Sequence, residues 1–319
     1  MIYRPMSRIV VATLYRFVKL RECAESQSEL RALCQENGLL GTLILASEGI
    51  NGTIAGSRAG VDRFREWLSR DVRFADAEYK ESITDSMPFY RLKVVVKGEI
   101  VTMRVPGVDV TRTVGPYVSP QDWNSVIRDP EVVVIDCRNH FEVEVGRFAG
   151  SLDPQTEEFR GFPEFVRESL DPSRHSKIAM YCTGGIRCEK ASSFMLGLGF
   201  ASVRQLKGGI LSYLEQVPMS ESLWQGECFV FDQRVSLGHG LTEGSWVECH
   251  GCKHPVSPGN QSSPRYIEGV ACPECHDQLT EERAAKLRER SRQIELAANR
   301  GGRHIGFVPD RGDDQSLRA

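Results

Sequence analysis

The apolar run Lys177-Ile178-Ala179-Met180-Tyr181 delivers Cys182 into a glycine-bearing loop, Cys182-Thr183-Gly184-Gly185-Ile186-Arg187-Cys188, which opens a helical stretch. A buried strand that turns sharply into a helix is the repeating unit of a parallel α/β sheet, and few other folds accept that succession. The same order of elements prescribes chemistry. A loop leading into a helix N-terminus aims backbone N–H groups and the positive end of the macrodipole at its centre, and both lower a thiol pKa. Arg187 adds a fixed positive charge, expected at the rim of the loop. In such surroundings an unperturbed cysteine pKa of about 8.5 falls to roughly 3.5–7.5. Cys182 is therefore the candidate nucleophile, against the plainer reading of a small buried hydrophobe. Cys188 is either a resolving thiol that forms a reversible disulfide or a packed residue of the helix start.

A strand ending in cysteine, then four residues, an arginine and a helix resembles the active-site loop of rhodanese-like domains. Upstream, Val132-Val133-Val134-Ile135-Asp136-Cys137-Arg138-Asn139, Glu142 and Gly146-Arg147-Phe148-Ala149-Gly150-Ser151 are similar to the strand and loop that precede it in that family. Downstream, Leu198-Gly199-Phe200-Ala201-Ser202-Val203 and Leu206-Lys207-Gly208-Gly209-Ile210 are similar to its next strand and final loop. The resemblance covers residues 118–218. It implies that Cys182 accepts sulfane sulfur as a persulfide, with Thr183, Gly184, Gly185, Ile186 and Arg187 as the anion-binding loop. Phosphatases of the same fold carry one more residue between cysteine and arginine to admit a tetrahedral phosphate. The shorter loop here favours a persulfide or another small adduct. Asp136 and Arg138 are read as an ion pair that ties neighbouring loops, outside the catalytic set.

A chain of 319 residues exceeds one hydrophobic core, so two or three domains are expected. With 40% hydrophobic and 26% charged residues it has the composition of an ordinary soluble globular protein. A net charge of −3 says nothing about nucleic acid; only the local distribution of charge can. The apolar run Ile9-Val10-Val11-Ala12-Thr13-Leu14-Tyr15 ends at Arg16, too short to span a bilayer and without a small-residue cleavage site. Two Cys-x-x-Cys pairs and a nucleophile loop need reduced sulfur, which places the chain in the cytoplasm with no membrane partner.

Ahead of the α/β region, residues 1–105 alternate strands at about 8–15, 41–46 and 50–55 with helices at about 25–36 and 58–68. A hairpin, Tyr90 to Val96 and Ile100 to Val105, is expected to close this region around Lys97-Gly98-Glu99. The order βαββαβ predicts a ferredoxin-like α+β fold. Within it, Ser47-Glu48-Gly49-Ile50-Asn51-Gly52-Thr53 reads first as a tight hairpin turn, and second as a functional loop whose amides face a phosphate or a base. Residues 106–117, punctuated by Pro106, Gly107, Gly115 and Pro116, read as a linker.

Residues 219–300 change character. Cys249-His250-Gly251-Cys252 and Cys272-Pro273-Glu274-Cys275, with 19 residues between the pairs, predict a structural Zn²⁺ site with four thiolate ligands. His250, His254 and His276 keep a Cys₃His alternative open. Thr280 to Arg303 is helical by composition, with Arg283, Lys286, Arg288, Arg290, Arg292, Arg300 and Arg303 along it, so the reading divides between a solvated helix face and contact with RNA phosphates. Residues 301–319 are expected to be a disordered tail.

Taken together, Glu48-Gly49-Ile50-Asn51-Gly52-Thr53, the Cys182–Cys188 loop and a cysteine-rich end after Phe229-Val230-Phe231-Asp232 resemble one family along nearly the whole chain: the bacterial tRNA uridine hydroxylases. That resemblance implies oxygen-dependent hydroxylation of the wobble uridine at carbon 5, with Cys182 as the active residue. It also implies the tRNA anticodon loop as partner and molecular oxygen as co-substrate. No flavin or NAD fingerprint accompanies it. An addition of the Cys182 sulfur to carbon 6 would make carbon 5 electron-rich. The alternatives are a thiosulfate or persulfide sulfurtransferase fed by a sulfane sulfur donor, and a zinc-containing RNA-binding adaptor without catalysis. Oligomeric state is not legible.

Overall fold

A computed structural model describes residues 8–300. The chain opens with β1 (Ile9–Phe17), α1 (Cys23–Glu36), β2 (Leu40–Ala46), β3 (Gly49–Gly56), α2 (Arg58–Arg70), β4 (Glu78–Thr84) and β5 (Leu92–Val96). Their sheet runs in the order β4-β1-β3-β2-β5, with β1, β3 and their other neighbours antiparallel and β5 parallel to β2. The first six elements make the ferredoxin-like fold that the pattern predicts. Along β1, Val10, Ala12 and Leu14 join Leu30 and Cys34 of α1 and Val61, Phe64 and Leu68 of α2 in one core. Val11 and Tyr15, on the opposite face of the same strand, are buried too. A strand covered on both sides reads as a continuous apolar run, which is why Ile9–Tyr15 carries no polar alternation.

The hairpin expected across Tyr90–Val105 does not form. β5 is an edge strand on β2, and the outer neighbour of β1 is β4, a strand that the sequence pattern did not reveal. Residues 100–104 lack a strand partner because carboxylates take their backbone donors. Glu48 Oε1 accepts from Ile100 N at 2.7 Å, and Glu99 accepts from Met103 N and Arg104 N, each at 3.0 Å. The Ser47–Thr53 segment is the β2–β3 hairpin. At Gly49 φ is +140°, and a Cβ there would stand 1.9 Å from the Arg16 carbonyl oxygen, so the position admits only glycine. Asn51 Nδ2 donates to the Ile100 carbonyl at 2.9 Å.

The second layer comprises β6 (Tyr117–Val118), α3 (Pro120–Ile127), β7 (Val132–Asp136), α4 (His140–Val145), β8 (Gly146–Phe148), α5 (Phe162–Ser169), β9 (Lys177–Tyr181), α6 (Ile186–Gly197), β10 (Ser202–Leu206) and α7 (Gly209–Gln216). A four-stranded parallel sheet runs β6-β10-β9-β7. Trp123 of α3 and Leu211 and Leu214 of α7 pack on one face, and Phe162 and Val166 of α5 with Ala191 and Phe194 of α6 on the other. Beyond Val217 the chain, expected to enter the cysteine-rich region at once, adds β11 (Trp224–Gly226) antiparallel to β8, then pairs β12 (Cys228–Phe229) with β13 (Ser236–Leu237). Trp224 sits 5.0 Å from Phe148, ring centre to ring centre, inside the α/β core.

One compact unit ends at Glu248 and a second begins at Cys249. The second holds a short helix, α8 (Pro258–Gln261), and the long α9 (Glu281–Asn299). The expected tail, 301–319 with Arg303, lies outside the described residues. No helix among the described residues is long and apolar enough to cross a membrane.

Candidate functional site

Cys182 follows β9 directly and is completely buried. Its carbonyl accepts from Ile210 N at 2.9 Å and Thr183 O accepts from Leu211 N at 3.1 Å, so the first turn of α7 supports the cysteine loop. Gly185 N donates to Cys182 Sγ at 3.1 Å. Burial by itself opposes a charge on this sulfur. Hydrogen bonding from the Cys188 thiol, the Arg187 guanidinium and the backbone N–H groups of Cys188 and Gly185 outweigh it, and the thiol pKa falls to about 6. Cys182 is thus mostly thiolate at neutral pH, as the loop sequence predicts. Cys188 and Cys137 are both buried beside it, and burial drives their pKa values up, so both keep their protons. Cys188 shares its thiol contacts between Cys182 and Cys137.

Arg187 is not at the rim. It is 8% exposed, and its guanidinium forms a two-point ion pair with the fully buried Glu142, at 2.6 and 2.8 Å. Arg187 Nη2 also donates to Thr183 Oγ1 at 3.1 Å. The reason is composition of the pocket: Glu142, fixed in the first turn of α4 by a capping box with Asn139, needs a cation more than solvent needs Arg187. Asp136 and Arg138 form the expected ion pair, at 2.6 Å and without exposure, and Arg138 donates as well to the Glu142 and Gly146 carbonyls.

Three further residues that the sequence did not single out flank the loop. Glu189, next in α6 after Cys188, accepts on Oε1 from both Tyr15 OH and Tyr117 OH, each at 2.8 Å. Burial raises the Glu189 pKa, and the two phenol bonds oppose that rise. Tyr15 comes from β1 of the first layer and Tyr117 from β6 of the second. Their separation in sequence, 174 residues for Tyr15 and Glu189, leaves no local signal. These residues wall a cavity of about 290 Å³ with Arg16, Phe17, Glu78 and Thr111. A second cavity of about 410 Å³, reaching Lys19 and Arg112, shares Phe17, Val110 and Thr111 with it. The expected linker therefore forms cavity wall.

In the second unit Cys249, Cys252, Cys272 and Cys275 bring their sulfurs within 4.8 Å of one another, with separations of 3.6, 3.7 and 3.8 Å along three edges. Ligands about 2.3 Å from a tetrahedral metal stand about 3.8 Å apart, so the four thiols fit a closed tetrahedral ion. The clustered group contains no histidine. Arg283 of α9 donates to the Gly251 carbonyl at 2.8 Å, while Lys286, Arg288 and Arg292 pair with Glu282, Glu281 and Glu289. Much of the helix's positive charge is spent within the helix.

The model for a UPF0176 acylphosphatase-like domain matches residues 9–100, and that for a rhodanese-like domain matches residues 119–216. Fold and loop together define a rhodanese-domain protein fronted by an acylphosphatase-like layer. Over 93% of its length, and 95% of the relative's, the chain is 53% identical to the tRNA uridine(34) hydroxylase of Agrobacterium fabrum. The chain belongs to the tRNA uridine(34) hydroxylase family. Solved structures similar to part of it include the rhodanese-like domain of an Anabaena protein, 20% identical over 35% of this chain and 79% of that one, with a TM-score of 0.29. Another is the BLUF protein BlrB in its dark state, 21% identical over 28% of this chain and 74% of that one, with a TM-score of 0.26.

Proposed function

We propose that this chain hydroxylates uridine 34 of tRNA at carbon 5, with Cys182 as the catalytic residue and molecular oxygen as co-substrate. The observation that carries the reading is the 3.1 Å hydrogen bond from Gly185 N–H to the Cys182 sulfur, in a chain 53% identical to a tRNA uridine(34) hydroxylase. The sulfur adds to carbon 6 of the uracil, and the displaced electron pair moves through carbon 5 to the enolate at O4. Carbon 5 then captures one oxygen atom. Loss of the carbon 5 proton and departure of the thiolate restore the double bond. The other oxygen atom leaves as water, with two electrons and two protons from an external reductant. An anticodon loop presents its bases unstacked at low cost, which suits a nucleophile set this deep.

We infer further that Cys249, Cys252, Cys272 and Cys275 hold a structural zinc ion. Four sulfur ligands leave no position for water, so the ion organises chain rather than reacts. Mass spectrometry of tRNA nucleosides from a strain lacking the gene, complemented by the native protein or by Cys182→Ser, tests the activity. The native protein is expected to restore 5-hydroxyuridine and its derivatives, and Cys182→Ser is not. If the nucleosides persist unchanged in the deleted strain with no second pathway to supply them, the sulfurtransferase reading replaces this one.

A further inference from the structure

The cavity walled by Tyr15, Tyr117 and Glu189 meets the cysteine loop through the contact of Tyr15 with Gly185, and it has a chemistry of its own. Two carboxylates, Glu78 and Glu189, and two phenols line it, and that combination repels a phosphate group. It suits a neutral planar ring that brings N–H donors. At about 290 Å³ it sits at the lower end of the roughly 300–1,000 Å³ of ligand sites, the size for one base rather than a run of nucleotides. Both phenols donate to the same oxygen, Glu189 Oε1, leaving Oε2 as an acceptor. Arg16, in the same wall, has a buried Nε without an acceptor. Gly185 joins the cavity to the thiolate: its N–H holds Cys182 Sγ at 3.1 Å, and the direction a side chain would take from its Cα meets Tyr15 Oη at 2.9 Å.

Resting on the activity proposed above, we propose that this cavity is the uracil-recognition site. Glu189 Oε2 accepts from N3–H, Arg16 Nε donates to a ring carbonyl while its terminal nitrogens stay on Asp76, and Phe17 and Tyr117 flank the base. Glu189 is then a specificity-determining residue. Uracil presents a donor at N3 between two carbonyls, whereas cytosine presents an acceptor there, which sets two lone pairs against each other.

The test uses the full-length native chain and an anticodon stem-loop with 4-thiouridine at position 34, photocrosslinked and mapped by mass spectrometry, alongside conversion of the unmodified stem-loop. Crosslinks to Tyr15, Phe17 or Tyr117 are expected. A native protein that converts uridine 34 but crosslinks only elsewhere overturns the cavity assignment and leaves the activity standing. A native protein that neither converts nor crosslinks removes both. Binding of stem-loops with uridine or cytidine at position 34 supplies the second readout. Glu189→Gln is expected to reduce the preference for uridine at least tenfold, and an unchanged preference overturns the role given to Glu189.

Discussion

Arg187 meets Glu142 with both terminal nitrogens, at 2.6 and 2.8 Å, and the pair lies beneath the loop that carries Cys182. The guanidinium serves two anions, the carboxylate and the thiolate, and the carboxylate has the closer share. Glu142→Gln leaves a buried cation unpaired, so it is expected to destabilise the fold by about 3–5 kcal/mol in denaturant unfolding. With the competing anion gone, the Arg187 charge acts more fully on the sulfur, and the Cys182 pKa is expected to fall below that of the native protein.

Titration of Cys182 with iodoacetamide, followed by mass spectrometry of the modified peptide, is expected to show half-maximal reactivity near pH 6. Below that pH the rate falls about tenfold per unit. Arg187→Ala moves the midpoint upward. Because the folded pKa lies below the unfolded one, the thiolate contributes stability that is complete above the unfolded pKa and lost as pH falls through 6. A midpoint near 9 in the native protein would contradict the loop's electrostatics.

Gly184 and Gly185 separate cleanly. Gly185 has φ +104° and faces Tyr15 Oη, whereas a Cβ on Gly184 meets nothing within 4 Å. Gly185→Ala is expected to cost on the order of 1–3 kcal/mol through strain and to loosen the Tyr15 contact. Gly184→Ala is expected to unfold within about 0.5 kcal/mol of the native protein. Equal losses from the two variants would show that the Gly185 conformation is not what fixes the loop.

The thiol cluster predicts about one zinc ion per chain by elemental analysis. Chelation, or Cys272→Ala, is expected to open the region from Cys249 to α9 to protease, because a segment this small cannot fold without its ion. The α/β layer, whose unit ends at Glu248, keeps its resistance. Simultaneous cleavage of both regions would count against an independent metal-held unit.

The cysteine loop, the parallel sheet and the paired thiols were legible because each is written in contiguous residues whose spacing has one physical reading. β4 was not: Glu78-Tyr79-Lys80-Glu81-Ser82-Ile83-Thr84 is polar and half-buried along both faces, so it carries no apolar alternation. The false hairpin arose because Ile100 and Met103 are buried, as strand residues would be, while their amides answer to Glu48 and Glu99. Arg187 was read as a cation at the rim of the loop, and its burial on Glu142 was not legible because Glu142 lies 45 residues away. Glu189 and Tyr15 meet across the two layers, and no window of sequence contains both.

The strand β1 is common property. One face closes the core under α1 and α2, and the other sends Tyr15 to Glu189, while Lys190 of α6 reaches Glu48 and Glu99 of the first layer. A fragment cut at the start of the α/β layer would keep the cysteine loop yet lose the ceiling over it. Such a fragment would retain the cysteine loop without the Tyr15, Arg16, Phe17 and Glu78 wall of the cavity. The recognition proposed above would then belong to neither layer alone, but to the seam where Tyr15 and Tyr117 meet on Glu189.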